Sequence, residues 1–387
     1  MNEIRDQIRV ISALSEIDQN QWDSVANPSG ERYDPFLSWD FLEALEASGA
    51  VAPETGWTPC HLVLEGSDQR LKAAMPLYAK TNSQGEFVFD HSWADAYERA
   101  GGSYFPKLLG AVPFTPVSGK RLLVPNGPDK DDHEEALLNG AVQLASQNDL
   151  SSLHINFLTE NQKSRLSDLN LSIRTDQQFH WQNNGYETFD DFLSELSSSK
   201  RKNLRKERLK AQTNVNYVHL TGDDIKPQHW DAFYTFYMDT GARKWGYPYL
   251  NRETFELLGQ RLADKILLIM AMRDDVPIAG ALNFIGSDTL YGRYWGCTEP
   301  LPFLHFETCY YQAIDFAIKH GLQTVEAGAQ GGHKLARGYA PVTTYSAHWI
   351  AHPGLRGAVD EYLRRERQAV ERDKEYLNDR TPFRKDA

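Results

Sequence analysis

The apolar residues behind Ser38 return at helical spacing, with Phe41, Leu42 and Leu45 on one face. A serine at that point can take up a free backbone N–H of the first turn, and Gly49 punctuates the far end, so the segment predicts a helix. The pattern then shortens. Residues 60–64 and 71–79 are strand-like runs on either side of the polar turn Glu65-Gly66-Ser67-Asp68, which reads as a hairpin. Residues 82–131 are rich in Gly, Pro, Tyr, Trp and Phe, with little period before Arg121-Leu122-Leu123-Val124, and read as long loops with aromatic anchors. A helix over 132–146 and a strand over 152–157 complete the first half in the order hairpin, helix, strand.

A polar, helix-prone stretch, 188–210, leads into a second half with a similar order and a clearer pattern. Helices are predicted over 228–239 and 252–262, joined through Gly241-Ala242-Arg243-Lys244-Trp245-Gly246-Tyr247. Residues 265–273 and 278–285 read as paired strands around the Asp274-Asp275 turn, and Gly286-Ser287-Asp288 turns the chain into another strand, 289–296. Phe306, Cys309, Tyr310, Ala313, Ile314 and Ala317 then recur at three- and four-residue spacing up to Gly321, the clearest helix in the chain. A strand over 323–328 follows. This order predicts a mixed α/β (α+β) protein of two related domains, 1–190 and 191–387; the repeat rests on element order, since the halves share no evident sequence identity.

The 387 residues are too many for one ordinary compact domain, and a 41% hydrophobic content fills real cores. Ile266 to Met272 is the longest apolar stretch, far short of the roughly 20 residues a membrane-spanning helix needs. The N-terminus has no apolar export core, so the expectation is a soluble, cytoplasmic protein. Cys60, Cys297 and Cys309 have no paired ligand spacing and read as structural thiols. The formal charge of −12 opposes generic binding to nucleic acid or anionic lipid. Lys200, Arg201, Lys202, Arg205, Lys206, Arg208 and Lys210 reverse that sign locally, with Glu207 the single acid among them. This run reads as a helix with only Leu204 and Leu209 to bury, either a solvated face or a polyanion contact.

Candidate chemistry concentrates in the second half. The segment 330–338 follows a predicted strand, holds the permissive Gly331, Gly332 and Gly338, and presents His333, Lys334 and Arg337 together beside Gln330. His305 and Glu307 sit at the start of the main helix and Glu326 at the end of the neighbouring strand, which in this order face one cleft; any of them, or His333, is a candidate general base. Capping and structural hydrogen bonding explain Glu307 and His305 equally well. The same four residues are ligand types for a metal, but no close-spaced metal signature accompanies them. Arg243, Lys244, Trp245 and Tyr247 make a cationic and aromatic loop suited to stacking, with core packing the alternative.

Several strings resemble the FemAB-like group of predicted N-acyltransferases, related to the Fem aminoacyl transferases of peptidoglycan. They are Pro35-Phe36-Leu37-Ser38-Trp39, His91-Ser92-Trp93-Ala94-Asp95-Ala96-Tyr97, Pro113-Phe114-Thr115-Pro116-Val117, residues 240–249, Leu304-His305-Phe306-Glu307 and residues 326–334. The resemblance covers nearly the whole chain and implies tandem GCN5-related N-acetyltransferase-like domains. It implies transfer of an acyl or aminoacyl group from aminoacyl-tRNA or acyl-CoA onto an amine of a small molecule, peptide or cell-wall precursor. No covalent enzyme intermediate and no cofactor beyond the donor are implied. Lys334 would neutralise the oxyanion or leaving group, and Arg337 would hold a phosphate or carboxylate of the donor. Arg201 and Arg205 would contact donor or tRNA, while His91, Trp93, Asp95 and Tyr97 would line the acceptor side in the first domain. The loop Cys297-Thr298-Glu299-Pro300-Leu301-Pro302-Phe303 departs from the Gly-rich pyrophosphate cradle of the commoner acetyltransferases, because its prolines remove N–H donors. That shifts weight from acetyl-CoA to an aminoacyl-tRNA or another carrier. A different class stays open on sequence: a non-catalytic protein that recognises a cell-wall precursor, peptide or RNA.

Overall fold

The computed structural model describes residues 6–244, 248–328 and 331–384, and two compact units emerge. The first comprises Met1–Asp176 with Thr343–Arg372, the second Gln177–Val342 with Asp373–Ala387. The chain thus divides at 176/177, where a boundary at 190/191 was expected, and Thr343–Arg372 returns to the first unit.

The first unit holds β1 (Gln7–Ile11), β2 (Trp57–Pro59), β3 (His61–Glu65), β4 (Leu71–Met75), β5 (Leu77–Lys80), β6 (Lys107–Gly110), β7 (Ser152–Leu158) and the start of β8 (Ser172–Gln182). β3 pairs antiparallel with β1 and β4, which is the expected hairpin extended by one strand. A second sheet runs β2-β5-β6-β7. The helix behind Ser38 forms as predicted, Trp39–Ala47, with the serine accepting from the Phe41 N–H at 3.3 Å. Leu137, Leu138, Ala141 and Ala145 of the helix Lys130–Gln147 pack on Leu62, Leu77, Leu108 and Ile155.

The region read as aromatic loops contains the helix His91–Arg99, whose only buried residues are Trp93 and Ala94, and the four-residue β6. One turn of apolar face and four residues of strand are too short to leave a period.

The second unit builds an open sheet from the end of β8 through β9 (Asn216–Leu220), β10 (Ile266–Arg273), β11 (Val276–Ile285), β12 (Thr289–Cys297) and β13 (Thr324–Glu326), in the order β8-β13-β12-β11-β10-β9. Only β12 and β13 run parallel. Asp274 and Asp275 both take positive φ, 49° and 62°, as the tight turn between β10 and β11 requires. Helix Pro227–Lys244 lies so close on β12 that a Cβ at Gly296 would stand 2.1 Å from the Phe236 carbonyl oxygen. Trp181, Leu267, Ala281, Tyr311, Ile314, Ala317 and Val325 fill the core.

The last strand, β14 (Ala340–Ile350), leaves the second unit and pairs antiparallel with β7, His348 opposite His154. Helix Pro353–Asn378 then buries Leu355, Val359 and Leu363 against Trp93 and Tyr104. These contacts bring the C-terminal segment into the first unit. Among the described residues no helix is long and apolar enough to cross a membrane.

Candidate active site

In the second unit three neighbouring strands bring charge to one place. Glu326, at the end of β13, stands opposite His180 of β8 and beside Tyr291 of β12. Arg293, two residues along β12, donates from Nη2 to Glu326 Oε2 at 2.9 Å, and both side chains are almost wholly buried. His180 Nε2 lies 3.7 Å from the other Glu326 oxygen. Burial holds the His180 imidazole below its ordinary pKa, with Arg293 and Lys334 adding to the effect.

Lys334 belongs to the short 3-10 turn Gly332–Arg337, between Gly331 and Gly338, which both take positive φ. Gly331, at φ 120°, takes a backbone conformation that residues with a side chain rarely adopt, and a Cβ there would lie 2.6 Å from the His333 ring. Lys334 is 1% exposed, and its Nζ donates to the Gly328 carbonyl at 2.7 Å. Burial, then the nearby Arg293 cation, lower the ammonium pKa to about 7, against the opposing pull of Cys309 and Glu326. A cation so poorly solvated interacts strongly with any negative charge that forms beside it.

An aromatic patch borders this turn. The helix over 304–319 is interrupted by a widened π segment, Glu307–Tyr311, a feature frequent at functional sites. Tyr310 meets His333 Nε2 at 2.9 Å, and the His305 ring packs against Trp295 and Tyr310 at 5.0 and 5.3 Å between centres. His305 and His333 are 6.1 Å apart, His333 exposed and His305 half-buried.

Other expected residues are placed differently. Glu307 is fully buried, its Oε1 accepting from Arg208 at 3.0 Å, Gln212 at 2.9 Å and Gln312 at 2.7 Å, so it braces the fold and is closed off as a base. Arg337 is 6% exposed and already engaged: Nη2 reaches both oxygens of Glu207, at 3.1 and 2.9 Å, and Nη1 donates to the His333 carbonyl at 2.8 Å. It serves as a brace, where a donor anchor was expected. The Arg243 Nη2 donates to the Cys297 carbonyl at 2.8 Å and pairs with Asp239, which ties the helix end to the 297–303 loop. Trp245, Tyr247 and Gln330 lie outside the described residues, as does the Lys244 side chain. Gly332 is exposed, with open space where a Cβ would stand. Among the described residues no three His, Cys, Asp or Glu side chains gather as metal ligands.

The basic run forms the helix Ser198–Ala211, and it has two faces. Leu204 is buried as expected, but Leu209 is 74% exposed, because the residues turned inward are Glu207 and Arg208. Arg205 pairs with Asp190 at 2.8 Å in solvent, and Arg201 Nη1 approaches the Ser194 carbonyl at 3.4 Å.

In the first unit the four acceptor-side residues do not converge. On a helix, alternate residues diverge by about 200°. His91 and Asp95 are accordingly exposed, whereas Trp93 is buried edge-on to His348, 5.0 Å between centres, and Tyr97 leans on His352. Behind Trp93 lies a buried polar chain with no local sequence signal. Lys107 donates to Glu86 at 2.8 Å and contacts Asp90, Tyr104 donates to Asp90 at 2.7 Å, and His154 meets His348 Nδ1 to Nδ1 at 2.6 Å. One ring must donate and the other accept, which fits burial holding His348 well below its ordinary pKa and His154 at about 3. Burial also lifts the Glu86 carboxyl to about 7.

No curated protein matches the sequence. Among solved structures the chain is similar to FemX, at 13% identity and a TM-score of 0.55, over 89% of this chain and 98% of that one. It is similar to L-PGS from Bacillus licheniformis, at 10% identity and a TM-score of 0.50, over 87% of this chain and 98% of that one. A tandem GNAT protein from the clavulanic acid biosynthesis pathway aligns at 11% identity and a TM-score of 0.48, over 90% and 99% of the two chains. The likeness to FemX and L-PGS, at such identities, speaks for the fold alone, tandem acyltransferase-type domains of mixed α/β class, as expected from the element order. The family described as peptidoglycan biosynthesis/recognition matches residues 13–385, and over that extent the chain belongs to the FemAB-like family.

Proposed function

We propose that this acyl- or aminoacyl-transferase moves its group from a carrier-bound donor onto an amine of a peptidoglycan precursor or related peptide, with the chemistry carried by the second unit. The observation that supports this reading best is Lys334: a buried lysine with one carbonyl partner, in a glycine-bounded turn beside Arg293, Glu326 and the aromatic patch. The acceptor amine attacks the donor carbonyl directly. Its C–N bond forms, the carbonyl oxygen takes the negative charge, and collapse breaks the bond to the carrier oxygen or sulfur. Lys334 offsets the charge on the oxyanion or the leaving group. His305 or His333 takes the amine proton, since Glu326 is committed to Arg293.

An aminoacyl-tRNA suits the donor side better than acyl-CoA. The 297–303 loop offers prolines and Glu299, which pairs with Arg273, where a pyrophosphate cradle would offer N–H groups. The helix Ser198–Ala211 exposes Lys202, Arg205, Lys206 and Lys210 on its outer face. If that face binds phosphates, affinity for deacylated tRNA falls linearly in log K against log salt, and Arg201→Glu with Arg205→Glu lowers the slope by about 2, roughly one for each phosphate left without its arginine. Filter binding across a salt series measures both. An unchanged slope in the double variant assigns the face to solvent, and a tight stoichiometric complex with acetyl-CoA would reverse the donor preference.

A further inference from the structure

The only acid in the basic helix is turned inward, onto the active-site turn. Glu207 accepts from Arg337 through both carboxylate oxygens, at 3.1 and 2.9 Å, and from the Tyr311 hydroxyl at 2.5 Å. Arg337 in turn holds the carbonyl of His333 at 2.8 Å, and its guanidinium lies 3.4 Å from the centre of the Phe306 ring. The turn Gly332–Arg337 has weak internal means of keeping its shape. It is a 3-10 segment between two glycines of positive φ, closed by the Lys334 N–H to the Gly331 carbonyl at 2.9 Å and the Gly338 N–H to the Leu335 carbonyl at 3.1 Å. Such turns have poorer hydrogen-bond geometry than an α-helix, so external ties set their position.

Its external ties include the Lys334 bond to Gly328, the Tyr339 N–H to the Lys334 carbonyl at 3.3 Å, the His333 contact with Tyr310, the stacking of Arg337 on Phe306 and the Arg337 bridge to Glu207. The last is charge-assisted and mostly buried, with 8% and 19% of the two side chains exposed, and it reaches the basic helix. We propose that Glu207 is a positioning residue for the transfer reaction: it fixes Arg337, and through the His333 carbonyl holds the turn so that Lys334 meets the developing charge. A polyanion-binding helix has no electrostatic use for an acid, whereas a helix that must register the turn does. Arg208, the next residue, fastens the same helix to the main helix through Glu307 and Asp315. The outer face that takes the donor and the inner face that holds the turn therefore belong to one rigid element.

This inference rests on the transferase reading above, and its test separates the two. Single-turnover transfer from a labelled aminoacyl-tRNA mixture to a peptidoglycan-precursor pool is measured for wild type, Glu207→Gln, Arg337→Gln, the double variant and Lys334→Ala. Glu207→Gln keeps an acceptor for Tyr311 but removes the counter-ion of Arg337. Its rate at saturating tRNA is expected to fall about tenfold per folded molecule, with the half-saturating tRNA concentration and the tRNA salt slope unchanged. The double variant should be no slower than Arg337→Gln alone, because both act through one bond. A wild-type rate in Glu207→Gln, or losses that simply multiply in the double variant, overturns the proposal while a crippled Lys334→Ala leaves the transferase reading standing. A wild-type rate in Lys334→Ala overturns the role given to Lys334, and no transfer by the wild type overturns the transferase reading itself. Should Glu207→Gln fail to fold, Glu207→Asp retains the charge at a shorter reach, and the same rate and half-saturation comparison decides; a wild-type rate there overturns the two-oxygen clamp.

Discussion

Lys334→Ala is expected to lower kcat on the order of 10²-fold while leaving KM for donor and acceptor nearly unchanged. Charge that exists only in the transition state gives the ammonium nothing on the bound substrates to hold beforehand, so its removal costs rate and not binding. Lys334→Arg is expected to recover only part of the loss, since a planar guanidinium cannot place its charge where a compact ammonium sat, in a site that leaves 1% of the residue exposed. The pH profile carries a second signature. With the ammonium pKa lowered to about 7, the cation is fully present below that pH and is lost as pH rises through it. The kcat/KM profile of the wild type should therefore bend down near pH 7, and this limb should be missing in Lys334→Arg, whose side chain stays charged. Steady-state kinetics from pH 5.5 to 8.5 would test both; a limb rising through pH 7 that Lys334→Ala abolishes would make the lysine a base. Those pH limits are roughly one and a half units either side of the transition.

Arg208→Ala is expected to destabilise the second unit by about 3–5 kcal/mol, because it strands the Glu307 carboxylate, 0% exposed, with neutral amide partners alone. Arg205→Ala, one turn earlier on the same helix, removes a solvent-exposed pair with Asp190 and should cost about 0–1 kcal/mol. Denaturant titrations of the two variants measure the contrast. Equal effects would mean that Glu307 is not the buried anchor its contacts describe.

These two arginines illustrate what the sequence could and could not convey. Local pattern was enough where an element is long or carries its own punctuation: Ser38 before Phe41, the Asp274-Asp275 turn and the 306–317 face all recur as expected. It was enough, too, to single out Lys334 as a site candidate, because a glycine-bounded basic turn after a strand is visible in a dozen residues. Pairings across long separations left no such trace. Arg208 meets Glu307, Arg337 meets Glu207, Arg293 meets Glu326 and His154 meets His348, and each pair is made by the fold. Glu207 alone gave a hint, as the single acid of a basic run. Trp93 and Asp95 were expected together on the resemblance, in a stretch without a readable period; a helix sends them to different sides. The return of β14 and most of the C-terminal helix to the first unit is likewise a matter of pairing with β7 and not of composition.

The central claim is that an acyl group moves from carrier to amine with Lys334 offsetting the charge that develops. Labelled aminoacyl-tRNA and labelled acyl-CoA, each incubated with the protein and a pool of peptidoglycan precursors, would show this by mild alkaline treatment, which cleaves the donor ester or thioester but spares an amide. The account predicts base-stable label on a precursor amine from the tRNA donor, lost in Lys334→Ala, with the intact mass of the protein unchanged throughout. Base-stable transfer by Lys334→Ala at the wild-type rate, or label retained covalently on the protein during turnover, would contradict it.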